Sequence, residues 1–270
     1  MTKSESIARY FYEIHRDQRH LPPLPPELMP RDFDEAYTAQ EALHSLFISE
    51  RGPIAGYKIS TTTPVMQKLM GIDRPTAGAI FRSLIHRSPA RLALENYHRV
   101  AVECEIAMRL QSDLPGRGDG RPYQGDELAE SVEACFPAIE IIEDHGADYK
   151  KTNALGLIAN NAWNLGCVLG PARTDWRALD LREIEGRMVI GGREIGKGVG
   201  RDVLGHPLNA LAWVANIAIE RRRPLRAGMV VLTGSIVSTQ WPKSGELVEV
   251  RFSGLGAASV TFITNKGVSP

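Results

Sequence analysis

The segment Arg99–Leu110 constrains the fold of this chain more than any other, because apolar residues occupy every second position along it. A two-residue period of this kind is typical of a β-strand with one face against the core. The other face carries two carboxylates, Glu103 and Glu105, about 7 Å apart along the strand and flanked by alanines. The predicted core face comprises Val100, Val102, Cys104, Ile106, Met108 and Leu110.

Two like charges at this spacing repel each other, so the pair is stable only in water, beside cations or around a metal ion. One interpretation is a solvated face of an antiparallel sheet. A third carboxylate favours another, since Glu140 is the lone charge within the apolar run Ala138–Ile142 and a buried unpaired carboxylate is costly. Together Glu103, Glu105 and Glu140 would make an all-oxygen site for Mg²⁺ or Mn²⁺. Zinc is disfavoured because no histidine or cysteine joins the set.

Helical periodicity and helix-starting residues predict four helical segments elsewhere in the chain. In three of them, one face of the predicted helix is apolar, which indicates packing against a core. The four segments are a helix around Ile7, Phe11 and Ile14, one that Asp32 and Glu35 begin and Gly52 ends, one over Asp126–Cys135, and one from Pro207 to about Arg222.

From Ile54 onwards the period changes from that of helices to that of strands, beginning with IAGYKIS. Three further strand patterns, MVVLT, ELVEVRF and ASVTFI, follow one another near the C-terminal end. We therefore expect an α+β protein with a small N-terminal portion over residues 1–70, containing the first two helices, and a β-rich catalytic domain over residues 71–270.

The charge balance excludes several classes of partner. Lys plus Arg and Asp plus Glu each number 32, so no net field attracts nucleic acid or an anionic membrane. The cysteines, Cys104, Cys135 and Cys167, are odd in number and far apart, which favours a reducing compartment over a disulfide framework. The N-terminal residues lack the apolar core of a signal peptide, and no apolar run is long enough to span a bilayer. These features predict a cytoplasmic protein.

Several motifs together resemble the 2-keto-4-pentenoate hydratase and 4-oxalocrotonate decarboxylase group of the fumarylacetoacetate hydrolase superfamily. The resemblance extends over nearly the whole chain, and it implies a small α/β N-terminal portion followed by a mixed β-roll of the fumarylacetoacetate hydrolase type. The motifs are the ExE strand, the glutamate of PAIEII, GYKI, NNAWNLGCVLG, and the closing LRAGMVVLTGS and SGELVEVRFSGLG.

The resemblance implies that Glu103, Glu105 and Glu140 bind Mg²⁺ or Mn²⁺, which is chelated in turn by the 1-carboxylate and 2-oxygen of a small 2-oxo or 2-hydroxydienoic acid. The metal would stabilise an enolate at the 2-oxygen. The lysine of GYKI is Lys58, the implied hydrogen-bond donor or proton carrier at that enolate. Without the resemblance, Lys58 would be interpreted as a surface lysine on a strand.

We expect a hydratase of aromatic catabolism, which adds water to a 2-hydroxy-2,4-dienoate to give a 4-hydroxy-2-oxo acid. The alternatives are a 2-oxo acid decarboxylase of the 4-oxalocrotonate type and a non-catalytic partner subunit of such an enzyme. The resemblance also implies that the protein forms homo-oligomers and associates with a pathway partner enzyme.

One position departs from the group. Its hydratases typically have an acid in a P-D-x-G pattern where this chain has Thr76, and a threonine cannot act as a base near neutral pH. Thr76, Asn161 and Ser235 are the predicted substrate contacts. A second carboxylate on the substrate would require a cationic partner, for which Arg74 and Arg82 are the candidates.

Overall fold

A computed structural model describes residues 1–264 of the chain, and within that range it contains five α-helices and two mixed β-sheets. The predicted α+β class is therefore confirmed. The helices are α1 (Lys3–Arg16), α2 (Phe33–Arg51), α3 (Pro64–Met70), α4 (Ala154–Ala159) and α5 (Pro207–Glu220). The strands are β1 (Ile54–Ser60), β2 (Thr76–Phe81), β3 (Ile85–Arg87), β4 (Ala90–Ala93), β5 (Val100–Leu110), β6 (Val132–Glu143), β7 (Asn164–Leu169), β8 (Glu185–Ile190), β9 (Arg193–Val199), β10 (Val230–Ser235), β11 (Leu247–Phe252) and β12 (Gly256–Ile263).

The larger sheet has seven strands in the order β2-β1-β10-β5-β6-β7-β3, and the smaller has five in the order β4-β12-β11-β8-β9. The antiparallel β5–β6 pair occupies the middle of the larger sheet, with β5 also paired to β10 and β6 to β7. Any side chain on the face of β5 or β6 that points away from the smaller sheet therefore lies near the centre of a broad surface.

The predicted core face of β5 is buried and packs in one cluster with β11, β12 and α5. Its partners include Val250 on β11, Phe262 on β12 and Leu211 on α5. The opposite face is covered as well, because Ala101 of β5 and Ile142 of β6 belong to a second cluster with the two N-terminal helices. The alternative of a solvated strand face is therefore wrong.

The helices predicted at the N-terminus and from Pro207 are confirmed as α1, α2 and α5. At the start of α2, the Asp32 carboxylate accepts from the Glu35 N–H at 2.8 Å, as a helix cap does. The helix predicted over Asp126–Cys135 is wrong. A short 3₁₀ helix covers Asp126–Ser131, and β6 begins at Val132 and pairs with β5 along its length. Sheet pairing overrides the local helical preference there.

The predicted boundary at residue 70 falls between strands that share a sheet, since β1 pairs with both β2 and β10. The boundary stays a prediction. The predicted absence of disulfides agrees with three free, buried cysteines. Among the helices of residues 1–264, none combines the length and the apolar character needed to cross a bilayer.

Candidate metal centre

Strand register brings the three predicted glutamates together. Glu103 on β5 lies directly opposite Glu140 on β6, and Glu105 lies two residues further along β5, opposite Ala138. Residues two apart share a face, so all three side chains project from the same side of the sheet. One oxygen of each carboxylate lies within 4.8 Å of the others. Glu105 and Glu140 are completely buried.

A β-bulge in β10 holds Glu105. Leu232 pairs with Ala107 but Ser235 pairs with Glu105, so β10 has one more residue than β5 in this stretch. The extra residue lets Gly234 donate its N–H to Glu105 Oε2 at 2.7 Å. Gly234 has a φ of +102°, which a residue with a side chain rarely adopts. The other oxygen, Oε1, is buried and has no hydrogen-bond donor within residues 1–264.

The other two carboxylates receive side-chain donors. Asn164 donates its Nδ2 hydrogen to Glu140 Oε1 at 2.9 Å, and the Thr239 hydroxyl donates to Glu103 Oε1. Glu140 Oε2 is buried and, in the described part of the chain, has no donor. Two buried oxygens of neighbouring carboxylates therefore have no hydrogen-bond donor among residues 1–264, whereas most buried polar atoms in proteins have a partner.

Lys58 completes the cluster from β1. It pairs in register with Leu232, which pairs with Ala107 on β5, so Lys58 lies on the glutamate face of the sheet. Its Nζ is 3.1 Å from Glu140 Oε1, and the side chain is about as buried as those of Glu105 and Glu140. Burial alone would lower the pKa of Lys58, but Glu140 and the two other carboxylates raise it above its usual value. The interpretation as a surface lysine is wrong.

The cluster carries an excess of negative charge. Burial, and after it the neighbouring Glu140, raises the pKa of Glu103 to about 6. The pKa of Glu105 is raised well above its usual value, first by burial and then by Glu140 and Glu103. Three carboxylates share one ammonium group, so a further cation would relieve the repulsion. A ligand set made only of carboxylate oxygens, two of them without hydrogen-bond donors among residues 1–264, fits a hard divalent cation.

Thr76 lies on the same face of the sheet. It pairs with Ser60, as Gly78 does with Lys58, so its side chain projects on the side of Lys58. Thr76 is completely buried, and its hydroxyl lies 3.3 Å from the hydroxyl of Thr61. Thr61 has a φ of +53°, an unusual conformation for a β-branched residue. Two buried hydroxyl groups therefore lie at the position where the resemblance to the hydratase group implies an acid.

The other two predicted substrate contacts make hydrogen bonds to the backbone. Asn161 accepts from the Ala79 N–H at 2.7 Å and donates to the Ala79 carbonyl at 3.0 Å, and it also contacts His44 on α2. The Ser235 hydroxyl accepts from the Cys104 N–H at 3.0 Å and donates to the Val237 carbonyl at 2.7 Å. Roles in substrate binding for Thr76, Asn161 and Ser235 stay predictions.

Neither predicted partner of a second carboxylate lies with the glutamates. Arg74 is exposed and pairs with the adjacent Asp73 at 2.9 Å. Arg82 lines a cavity of about 640 Å³ together with Arg109 and Phe136. Arg109 shares a face with Glu105 but lies four residues further along β5, so this cavity is near the C-terminal end of the strand and Glu105 is in its middle.

Sequence reasoning missed Thr61, Asn164, Gly234 and Thr239. Asn164 follows Asn161 by three residues in a stretch that the sequence had already indicated, which was the one available signal. The Gly234 contact uses a backbone N–H that only the bulge exposes, and Thr239 reaches Glu103 from a segment 136 residues away. No local pattern reports either contact.

Residues 70–263 match the family model described as fumarylacetoacetate (FAA) hydrolase C-terminal, so the chain belongs to the fumarylacetoacetate hydrolase family. The predicted resemblance is confirmed. The chain is 31% identical over 258 residues to 2-keto-4-pentenoate hydratase 2 of Dechloromonas aromatica (strain RCB), covering 96% of this chain and 97% of the relative. It is 29% identical over 262 residues to 2-keto-4-pentenoate hydratase of Paraburkholderia xenovorans (strain LB400), covering 97% and 96% respectively.

A solved structure gives the same fold. The 4-oxalocrotonate decarboxylase from Pseudomonas putida G7, complexed with magnesium and adipate, superimposes with a TM-score of 0.89 at 22% identity. The superposition covers 97% of this chain and 99% of that one. The chain therefore shares the fold of that structure over nearly its whole length.

Proposed function

We propose that this protein is a divalent-metal-dependent hydratase that adds water to a 2-hydroxy-2,4-dienoate, through its 2-oxo-enoate form, to give a 4-hydroxy-2-oxo acid. The observation that carries the proposal is the cluster of three glutamates beside Lys58, two of them completely buried, with two carboxylate oxygens that have no hydrogen-bond donor among residues 1–264. Alignment along nearly the whole chain with relatives named hydratases supports the reaction class.

Glu103, Glu105 and Glu140 would hold the cation, and Mg²⁺ or Mn²⁺ suits three carboxylate ligands better than a softer metal. When bound, such a cation supplies Lewis-acid chemistry at the 2-oxygen and carboxylate of the substrate. The protein itself supplies a buried, rigid ligand set, because each glutamate is fixed by a donor from another segment.

Lys58 is the proposed hydrogen-bond donor or proton carrier at the enolate. Water addition to a 2-oxo-enoate develops negative charge on the 2-oxygen, and a buried ammonium group next to it stabilises that charge. The neighbouring carboxylates raise the pKa of Lys58, which keeps the group protonated near neutral pH. Lys58 therefore acts as a hydrogen-bond donor at the enolate.

The hydroxyls of Thr61 and Thr76 are proposed to hold the reacting water. They lie 3.3 Å apart on the Lys58 side of the sheet; Thr61 donates its hydrogen to the Ser60 carbonyl at 2.7 Å and can still accept, whereas Thr76 can donate or accept. A hydroxyl pair can orient water without removing its proton, so a site of this kind works by positioning.

The charge inventory favours hydration over decarboxylation of 4-oxalocrotonate, which carries a second carboxylate. Arg74 and Arg82 lie elsewhere, and Arg99 is bound to Asp144 at 2.6 Å. Beyond the glutamates the same face continues with Ala101 and Ile142, which are apolar. A monocarboxylate with an apolar tail fits these surroundings better than a dicarboxylate.

The test supplies 2-hydroxypenta-2,4-dienoate and 4-oxalocrotonate separately, with Mg²⁺ and then with Mn²⁺. We expect the dienoate to be converted to 4-hydroxy-2-oxopentanoate, measured by loss of diene absorbance and by product analysis, and to depend on the metal. Carbon dioxide release from 4-oxalocrotonate would instead identify a decarboxylase. Metal binding with turnover of neither compound, nor of longer dienoates, would favour the non-catalytic partner subunit.

Assembly belongs to the same proposal. Homo-oligomers and association with a pathway partner enzyme are implied by the resemblance. Size-exclusion chromatography with light scattering tests the first, and co-purification with a decarboxylase of the same group tests the second.

A further inference from the structure

We propose that Asn164 is a positioning residue that determines which oxygen of Glu140 is offered to the cation. The inference rests on the proposed function, since it requires that Glu140 is a ligand. Asn164 stands at the start of β7, is almost fully buried, and donates its Nδ2 hydrogen to Glu140 Oε1 at 2.9 Å.

Both polar contacts of Glu140 fall on one oxygen. Lys58 Nζ lies 3.1 Å from Oε1, the same atom that Asn164 contacts, and Oε2 has no donor within residues 1–264. The terminal torsion of a glutamate is broad, so a single contact to Lys58 would leave the carboxylate free to turn towards it with both oxygens. The second donor holds Oε1 in contact with protein groups and leaves Oε2 as the oxygen without a donor among residues 1–264.

The orientation of the Asn164 carboxamide is fixed by its other end. Its Oδ1 accepts from the Gly166 N–H at 3.1 Å, so Nδ2 is the atom that faces Glu140 Oε1 at 2.9 Å, and Nδ2 also donates to the Gly166 carbonyl at 3.3 Å. An aspartate or serine could accept from Gly166 equally well, as in other short turns. Accepting from the Gly166 N–H does not by itself require an amide, whereas the carboxylate of Glu140 does require a donor.

The backbone before Asn164 supports a specific placement. Asn161, Ala162 and Trp163 have φ values of 53°, 47° and 58°, three successive residues with side chains in the left-handed region. Such residues normally occur there singly, and strained backbone clusters at functional sites. A register shift in the β6–β7 pairing then sets Asn164 opposite Ile142, two residues from Glu140 and on its face.

The test is Asn164→Ser, titrated with Mg²⁺ by calorimetry. Serine keeps a hydroxyl that can accept from the Gly166 N–H but is too short to reach Glu140. We expect the dissociation constant for Mg²⁺ to rise about 10- to 100-fold, the usual effect of removing a partner of a metal ligand. Raising the Mg²⁺ concentration about a hundredfold should then restore turnover, which a purely structural defect would not allow.

Asn160→Ser is the matched control. Asn160 lies in the same stretch and is equally buried, but its carboxamide contacts His15 at 2.8 Å and not a glutamate. Its variant should lose stability and keep the wild-type affinity for Mg²⁺. An unchanged dissociation constant in Asn164→Ser, or equal weakening in Asn160→Ser, would overturn the inference.

If Asn164→Ser does not fold, Asn164→Thr gives the same test with more packing volume, and the extended backbone at this residue suits a β-branched side chain. Wild-type protein that binds no Mg²⁺ would overturn the proposed function and this inference with it. Wild-type protein that binds Mg²⁺ no better than folded Asn164→Ser or Asn164→Thr would overturn this inference alone.

Discussion

The β5–β6 pair buries carboxylates in two places, and the two places differ in the number of hydrogen-bond donors around the carboxylates. Glu143 and Asp144 lie at the end of β6 and just beyond it, while Glu140 faces Glu103 and Glu105 three residues earlier. Glu105, Glu140, Glu143 and Asp144 all have side chains that are at most 1% exposed. Burial alone therefore does not distinguish a structural carboxylate from one in a site.

Asp144 is surrounded by donors. It accepts from the Arg99 guanidinium at 2.6 and 2.8 Å, from the Gly146 N–H at 2.8 Å, from the Tyr149 hydroxyl at 3.1 Å and from the Trp241 indole at 3.2 Å. The neighbouring Glu143 accepts from three backbone N–H groups. Both oxygens of each group are used, which is the arrangement expected when a carboxylate stabilises a fold.

The glutamates facing one another have too few donors. One oxygen of Glu105 and one of Glu140 have none among the described residues, and burial raises the pKa of Glu105 well above its usual value. The difference shows that carboxylate oxygens without donors, and not buried charge as such, indicate a ligand-binding site.

The largest effect is expected from Glu105→Gln. The amide can still accept from the Gly234 N–H, but it removes one ligand charge from the centre, so kcat/KM should fall about 10³-fold because a Lewis acid contributes several kcal/mol. The free energy of unfolding of the metal-free protein should stay within about 1 kcal/mol of wild type or rise, because repulsion among carboxylates is relieved. Steady-state kinetics and urea unfolding with a chelator measure the two quantities.

Asp144→Asn should give the reverse result. Loss of the charge weakens the contacts to Arg99, Tyr149 and Trp241, and we expect a loss of about 2–4 kcal/mol in the free energy of unfolding. The affinity for Mg²⁺ should remain within about threefold of wild type. The comparison fails if Asp144→Asn leaves stability unchanged, or if its main effect is on metal binding.

The two groups of carboxylates also differ in how far the sequence predicts them. Alternation along β5 predicted the face of Glu103 and Glu105, and the apolar run around Glu140 predicted its burial, because both signals are local. The donors that separate the two groups come from elsewhere: Gly234 through a bulge, Thr239 through a distant segment, and Asn164 through a left-handed turn. The wrong helix at Asp126–Cys135 has a related cause, since pairing of β6 with β5 overrides a local pattern.

The same reasoning explains why Asn161 was predicted as a substrate contact and Asn164 was not. Both lie in one short stretch, and the period of the sequence does not reveal that three successive residues adopt positive φ values. That turn sends Asn161 to the backbone of β2 and Asn164 to Glu140. A side chain's neighbours in such a segment depend on backbone torsions that residue types alone do not specify.

The effect of Mg²⁺ on thermal stability should distinguish the glutamate cluster from the carboxylates around Asp144. A ligand that binds only the folded state stabilises it by about 2.7 kcal/mol at a hundred times its dissociation constant. Thermal unfolding of wild-type protein with Mg²⁺ or with chelator should therefore differ by several degrees. Asp144→Asn should start lower and keep the full difference, whereas Glu105→Gln should lose most of it. An equal difference in all three proteins would place the metal outside the glutamate cluster.

The smallest effect concerns a buried group that is neutral. Burial lowers the pKa of His44 to about 4, partly offset by its 2.8 Å contact with Asn161, while the unfolded chain titrates near 6.5. Between these values the unfolded state binds more protons, so stability falls as the pH falls from about 6.5 towards 4. From pH 7 to pH 5.5 this histidine should cost about 1 kcal/mol, measured by urea unfolding with chelator. His44→Gln, which can still donate to Asn161, should lose correspondingly less stability over that interval. Equal losses in the two proteins would mean that folding leaves the pKa of His44 unchanged, and would contradict its description as a buried neutral group.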